Sequence, residues 1–152
     1  MLMKNKLLIF IISLFFFNNL AFSKELIFKT KNLEIIDNGK FIYAGEGKAI
    51  STDGDLEINA TKFEYNKELN ILKTFGEGEL LINSKNLKIN YDNSIIDQKN
   101  LLIKTNGNTK ILDKENNLII TSNSIIYDQK KMTIEAIDNV IGDGSHSISG
   151  TV

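Results

Sequence analysis

One histidine, no cysteine and nineteen acidic side chains are the reactive stock of this 152-residue chain. His146 stands in GDGSHSISG, flanked by Ser and Gly. A zinc or catalytic centre needs several convergent groups, and a lone imidazole with no thiol in the chain does not supply them. The acidic stretches DGDLE (53–57) and DNVIGDG (138–144) carry oxygen ligands. They lack the ligand cadence and the closing bidentate Glu of a calcium loop, so they read as solvated turns. Gly-Glu-Gly occurs at 45–47 and 76–78, but no helix follows whose N-terminus would hold a phosphate. A glycosidase needs two carboxyls at a set distance, which residue order alone does not reveal. Tyr43, Tyr65, Tyr91 and Tyr127 have ring faces that could stack on sugars. Three of them adjoin turns, where a ring pointing inward and a hydroxyl pointing outward make a cap. The expectation is a non-enzymatic protein with no metal and no cofactor.

The two Gly-Glu-Gly segments lie 31 residues apart, and that interval organises the chain. Leu56, Leu87 and Leu118 coincide at it, as do Ile58, Ile89 and Ile120. Phe41, Leu72, Ile103 and Ile134 fall in one column. Gly45, Gly76 and Gly107 fall in another, where the fourth copy has Asp138. YNKE (65–68) returns as IDQK (96–99) and YDQK (127–130), while the first copy, IIDNGK (35–40), is one residue shorter at that turn. Four copies fill residues 24–152 without an interdomain linker.

Each copy reads as two strands. Leu56, Ile58 and Ala60 alternate with Glu57, Asn59 and Thr61, and Leu72, Thr74, Leu80 and Ile82 share a face in the next strand. A two-residue period marks a half-buried strand, and no 3.6-residue apolar stripe of useful length competes with it. Asn-, Asp- and Gly-rich clusters separate the strands and suit the positive-φ conformations of tight turns. The glycine columns sit inside the second strand of each copy, where Gly marks a bulge, a bend or an ordinary strand end. Bends at one level in four copies would curl the sheet into a trough. Alternation alone fits an open trough and a closed core equally well.

Residues 1–23 have the make-up of a secretory signal: Lys4 and Lys6, an apolar run from Leu7 to Phe17, and the ending Ala21-Phe22-Ser23. That run is short for a membrane span of about 20 residues. Two of the 18 basic residues lie in residues 1–23, leaving 16 against 19 acids, a balance of −3 for the remainder. Scattered charge with no basic stripe excludes the electrostatic footprint of a nucleic-acid binder.

The segments INATKFEYNKELNILKTFGEGELLI (58–82) and YAGEGKAISTDGDLEINA (43–60), with weaker copies at 89–111 and 120–142, resemble the OstA-like repeat. That repeat occurs in the periplasmic lipopolysaccharide-transport proteins LptA and LptC and in the N-terminal part of LptD. The resemblance implies an all-β, V-shaped, open-sided β-jellyroll of four repeats over residues 24–152. It also implies a periplasmic location, with contact toward the outer membrane. Lipopolysaccharide would be carried with its lipid A acyl chains shielded in an apolar groove. On alternation, Phe41, Leu72, Leu80, Ile82, Ile103, Ile111 and Ile134 would line one wall, together with Met132 and Val140. Leu56, Ile58, Leu87, Ile89, Leu118 and Ile120 would line the other. Unpaired edge strands at the two ends would join other OstA-like jellyrolls. A structural or polysaccharide-binding β-repeat remains the alternative; it would line its groove with aromatics and carboxylates instead.

Overall fold

The computed structural model describes residues 24–144, so the signal-like start (1–23) and His146 lie outside the described residues. The alternating segments form strands that follow one another through short turns. Six are short: β1 (Leu26–Thr30), β2 (Leu33–Ile36), β3 (Phe41–Ala44), β4 (Gly47–Ser51), β5 (Leu56–Ala60) and β6 (Lys62–Asn66). Four long ones follow, β7 (Ile71–Ile82), β8 (Leu87–Asp97), β9 (Leu102–Asp113) and β10 (Leu118–Asp128). The described chain closes with β11 (Thr133–Ile137) and β12 (Ile141–Gly144). All pairings are antiparallel.

The long strands pair end to end, but each ladder slips near its middle. The shifts fall between Phe75 and Gly78, between Asn90 and Asn93, and between Ser122 and Ser124. A bulge at such a slip bends the strand and increases its twist. Gly76 and Gly107 take φ of +78° and +77°, left-handed values that disfavour a side chain. In the fourth copy Asp138 sits at the same column with φ 60°, a conformation Asp tolerates better than most residues. Gly45 has no left-handed backbone, and there the chain breaks between β3 and β4.

Bending at one level splits the sheet into two walls. The first runs β1–β4–β5, then the C-terminal half of β7, the N-terminal half of β8 and so on to β12. The second runs β2–β3–β6, then the complementary halves of the long strands, to β11. The walls share strands along the bend, and no ladder joins their opposite rims among the described residues. This is the open-sided β-jellyroll that the resemblance to the OstA-like repeat implies. The core lies between the walls, where Ile58, Leu80, Ile89 and Ile111 of the first join Leu72, Ile96, Ile103 and Ile125 of the second in one cluster. Burying side chains of this size contributes about 1.5–3 kcal/mol each.

Candidate functional site

The inner faces of the two walls are the apolar surface that the fold builds. Ladder partners continue it from strand to strand. On the first wall Leu56 faces Ile82, Ile58 faces Leu80, Leu80 faces Ile89, Ile89 faces Ile111, and Ile111 faces Ile120. On the second, Ile42 faces Tyr65, Tyr65 faces Leu72, Leu72 faces Ile96, Ile96 faces Ile103, Ile103 faces Tyr127, and Tyr127 faces Ile134. Leu87 and Leu118 extend the first wall toward its rim.

Three corrections follow. Leu80, Ile82 and Ile111 belong to the same wall as Leu56, Ile58, Leu87, Ile89, Leu118 and Ile120, rather than to the wall of Leu72, Ile103 and Ile134. A long strand keeps its inward parity through Gly76 or Gly107 while the bend carries its two halves onto different walls. Phe41 leaves the interior altogether. It pairs with Asn66 in a row whose side chains point outward, and its neighbour Ile42 is the buried one. The break after Ala44 shifts the first copy by one residue, and a one-residue slip turns every side chain to the other face. Met132 is exposed at a turn, with φ 58°. Val140 is only partly buried against the core.

Alternation within unbroken strands also leads to Ile96, Ile125 and Ala49. Phe63 and Tyr65 follow from it too. Phe28 of β1 meets Phe63 edge-on at 5.8 Å and Tyr65 at 6.0 Å, so side chains from the two walls touch across the interior.

Polar side chains collect at the bend. Thr74 and Ser94 share a hydrogen bond of 2.7 Å, and Thr109 donates to Thr105 at 3.1 Å. The hydroxyl of Tyr91 is buried beside those of Thr74 and Ser94. It makes no hydrogen bond of ordinary geometry to the protein. Burial pushes its pKa up. Tyr91 therefore departs from the turn-cap role. Its ring lies where a Cβ on Gly78 would fall, 2.6 Å from it, which explains the second glycine of the pair. Tyr65 and Tyr127 do cap turns: Tyr65 OH reaches Asn70 Oδ1 at 3.3 Å, and Tyr127 OH reaches Met132 Sδ at 3.9 Å.

Between the rims, on the side opposite the bend, lies a cavity of about 70 Å³. Leu56, Ile82, Ile96 and Leu101 form its apolar lining, with Lys24, Asp55, Gln98 and Gln129 at its polar edge. Most of the interior is otherwise filled. Ile58, Leu72, Leu80, Ile89, Ile103 and Ile111 are wholly buried. Among the described residues no group of three or more His, Cys, Asp or Glu is placed to hold a metal ion. Nor is any helix long and apolar enough to cross a membrane.

No family model and no curated protein matches the chain in sequence. In three dimensions it is similar to LptH of Pseudomonas aeruginosa, the LptA-homologous periplasmic component of the conserved lipopolysaccharide transport device. The TM-score is 0.64 at 11% identity, over 76% of this chain and 83% of LptH. At that identity, what the two chains share is the fold.

Proposed function

We propose that the chain is a periplasmic carrier of the LptA type, which shields the acyl chains of lipopolysaccharide between its two walls without catalysing a reaction. The observation that carries this reading is an apolar interior whose walls, among the described residues, are joined by strands along one side only. Parting the other side would expose continuous rows of Ile and Leu. Each CH₂ of an acyl chain buried there contributes about 0.8 kcal/mol, set against the wall-to-wall contacts it displaces. The sugar headgroup would stay in water at the mouth. In this reading residues 1–23 are the export signal.

The ends of the jellyroll suit head-to-tail assembly toward the outer membrane. Among the described residues, β1 and β2 at one end, and β11 and β12 at the other, each have a ladder partner on one side only. Such edges pair with other chains unless they are guarded. Lys31 is paired with Glu46 at 2.6 Å, and Lys29 is an exposed position of β1.

Photo-crosslinkers at Ile58 and Ile103 should capture lipopolysaccharide, and crosslinkers at the neighbouring outward positions Asn59 and Lys104 should not. Equal labelling of both pairs would remove the reading. A second reading, polysaccharide binding, has one observation in its favour. Phe41 and Tyr43 lie on the outer face in a cleft of about 300 Å³ with Glu64 and Lys73. Retention on a polysaccharide column that Tyr43→Ala abolishes would favour that reading over the carrier.

A further inference from the structure

Just ahead of β1, Lys24 meets groups on both rims. Thr52 N donates to Glu25 O at 2.9 Å, which fastens this segment to the rim of the first wall. Lys24 Nζ lies 2.5 Å from Asp53 Oδ2 and 3.6 Å from Asp55 Oδ2 on that rim. Asp55 is tied in turn to the next copy, accepting from Ser84 N at 2.7 Å. From the second wall, Gln98 Nε2 donates to the carbonyl of Lys24 at 3.0 Å. Gln98 is itself held there, its Oε1 accepting from Tyr65 OH at 3.1 Å. Lys24, Asp55 and Gln98 edge the cavity, whose apolar lining includes Ile96 and Leu56.

We infer that Lys24 and Gln98 form a clasp that holds the two rims together and must be released before a chain enters the interior. This rests on the carrier reading, since a clasp regulates entry only where something enters. The link suits a gate because both halves are individually weak. An ion pair at the surface is screened by salt and worth little, and a single amide hydrogen bond is exchanged readily for water. The apolar contacts beneath are large but close only while the rims meet.

The chain has no cysteine, so Ile96→Cys gives one thiol at a position that is 1% exposed. Its reaction with a maleimide reports opening of the mouth whether or not lipid binds. Lys24→Ala and Gln98→Ala should each speed that reaction on the order of fivefold, with melting temperatures within about 2 °C of the parent. The control Lys114→Ala, at an exposed turn, should not. Added salt should speed labelling in the parent and leave the Lys24→Ala rate unchanged. Uptake of a fluorescent twelve-carbon fatty acid should accelerate in step with labelling. Equal labelling rates in all variants would overturn the clasp, and faster labelling with unaltered uptake would overturn its role as a gate. Faster labelling with no uptake in any variant would leave the clasp standing and remove the carrier reading.

Discussion

The first and third copies of the repeat start from the same glycine column and end in different structures. In the third, β9 runs unbroken through Gly107, and Ile103, Thr105, Thr109 and Ile111 all point inward. In the first, the chain breaks near Gly45, and inward parity switches from Ile42 and Ala44 to Ala49 and Ser51. The third copy has ladders on both sides, and its inner Ile103 is wholly buried. The first ends in an edge strand, whose Leu33 and Ile35 remain 47% and 57% exposed although they pair with the buried Ala44 and Ile42. Nearest neighbours, more than the motif, set how regular a copy becomes, as expected of a stacked repeat.

The largest test of this contrast is in the core. Ile103→Ala should cost about 2–5 kcal/mol in chemical denaturation, the range for large-to-small changes at filled sites. Ile35→Ala should stay within about 0.5 kcal/mol, as at surface positions. Comparable losses would mean that the first copy is packed like the third. The glycine column should show the same asymmetry on a smaller scale. Gly76→Val sets a branched side chain at φ +78°, with its Cβ 2.8 Å from Thr61 Oγ1. It should cost about 1–3 kcal/mol. Gly45→Ala should be much milder, because its Cβ would meet Asn32 Nδ2 at 3.4 Å on ordinary backbone.

A turn column sharpens the comparison in the stabilising direction. Asn70, Leu101 and Met132 recur at the repeat interval with φ of 56°, 57° and 58°. The second copy has Asn there, which tolerates this backbone and meets the Tyr65 hydroxyl. Met132→Asn should relieve the strain and offer Tyr127 the same partner, raising stability by about 1 kcal/mol. Asn70→Met should lower it. No change from either would show that the column carries no strain.

The smallest expected effect is in acid and is confined to the first copy. The hydrogen bond from Lys24, then that from Ser51, lowers the pKa of Asp53 from 3.8 to about 2. A carboxyl held more acidic in the folded state stabilises it fully above the ordinary value. That contribution is lost as pH falls from about 4 through about 2. Asp53 is largely exposed, so screening limits the contribution to a few tenths of a kcal/mol. Comparing melting of the parent and Asp53→Asn from pH 5 to pH 2 should show their difference shrink toward zero. A constant difference would mean the ion pair contributes nothing to folding.

Residue order alone determined the strand class, the 31-residue unit, the turns, and the inward set within any unbroken strand, because alternation is a local property of extended backbone. Leu56, Ile58 and Leu72 were legible in that way. It did not determine what happens across a bend. A chain break or a bend leaves no periodic signature, so Phe41 could not be told from Ile42, nor the wall of Leu80 from that of Leu72, until the ladders were seen. The meeting of Lys24 with Gln98, 74 residues along the chain, is more remote still. It depends on the accumulated twist of the intervening strands and on how far the walls close. Those quantities are decided by packing between distant segments, and only the tertiary structure contains them.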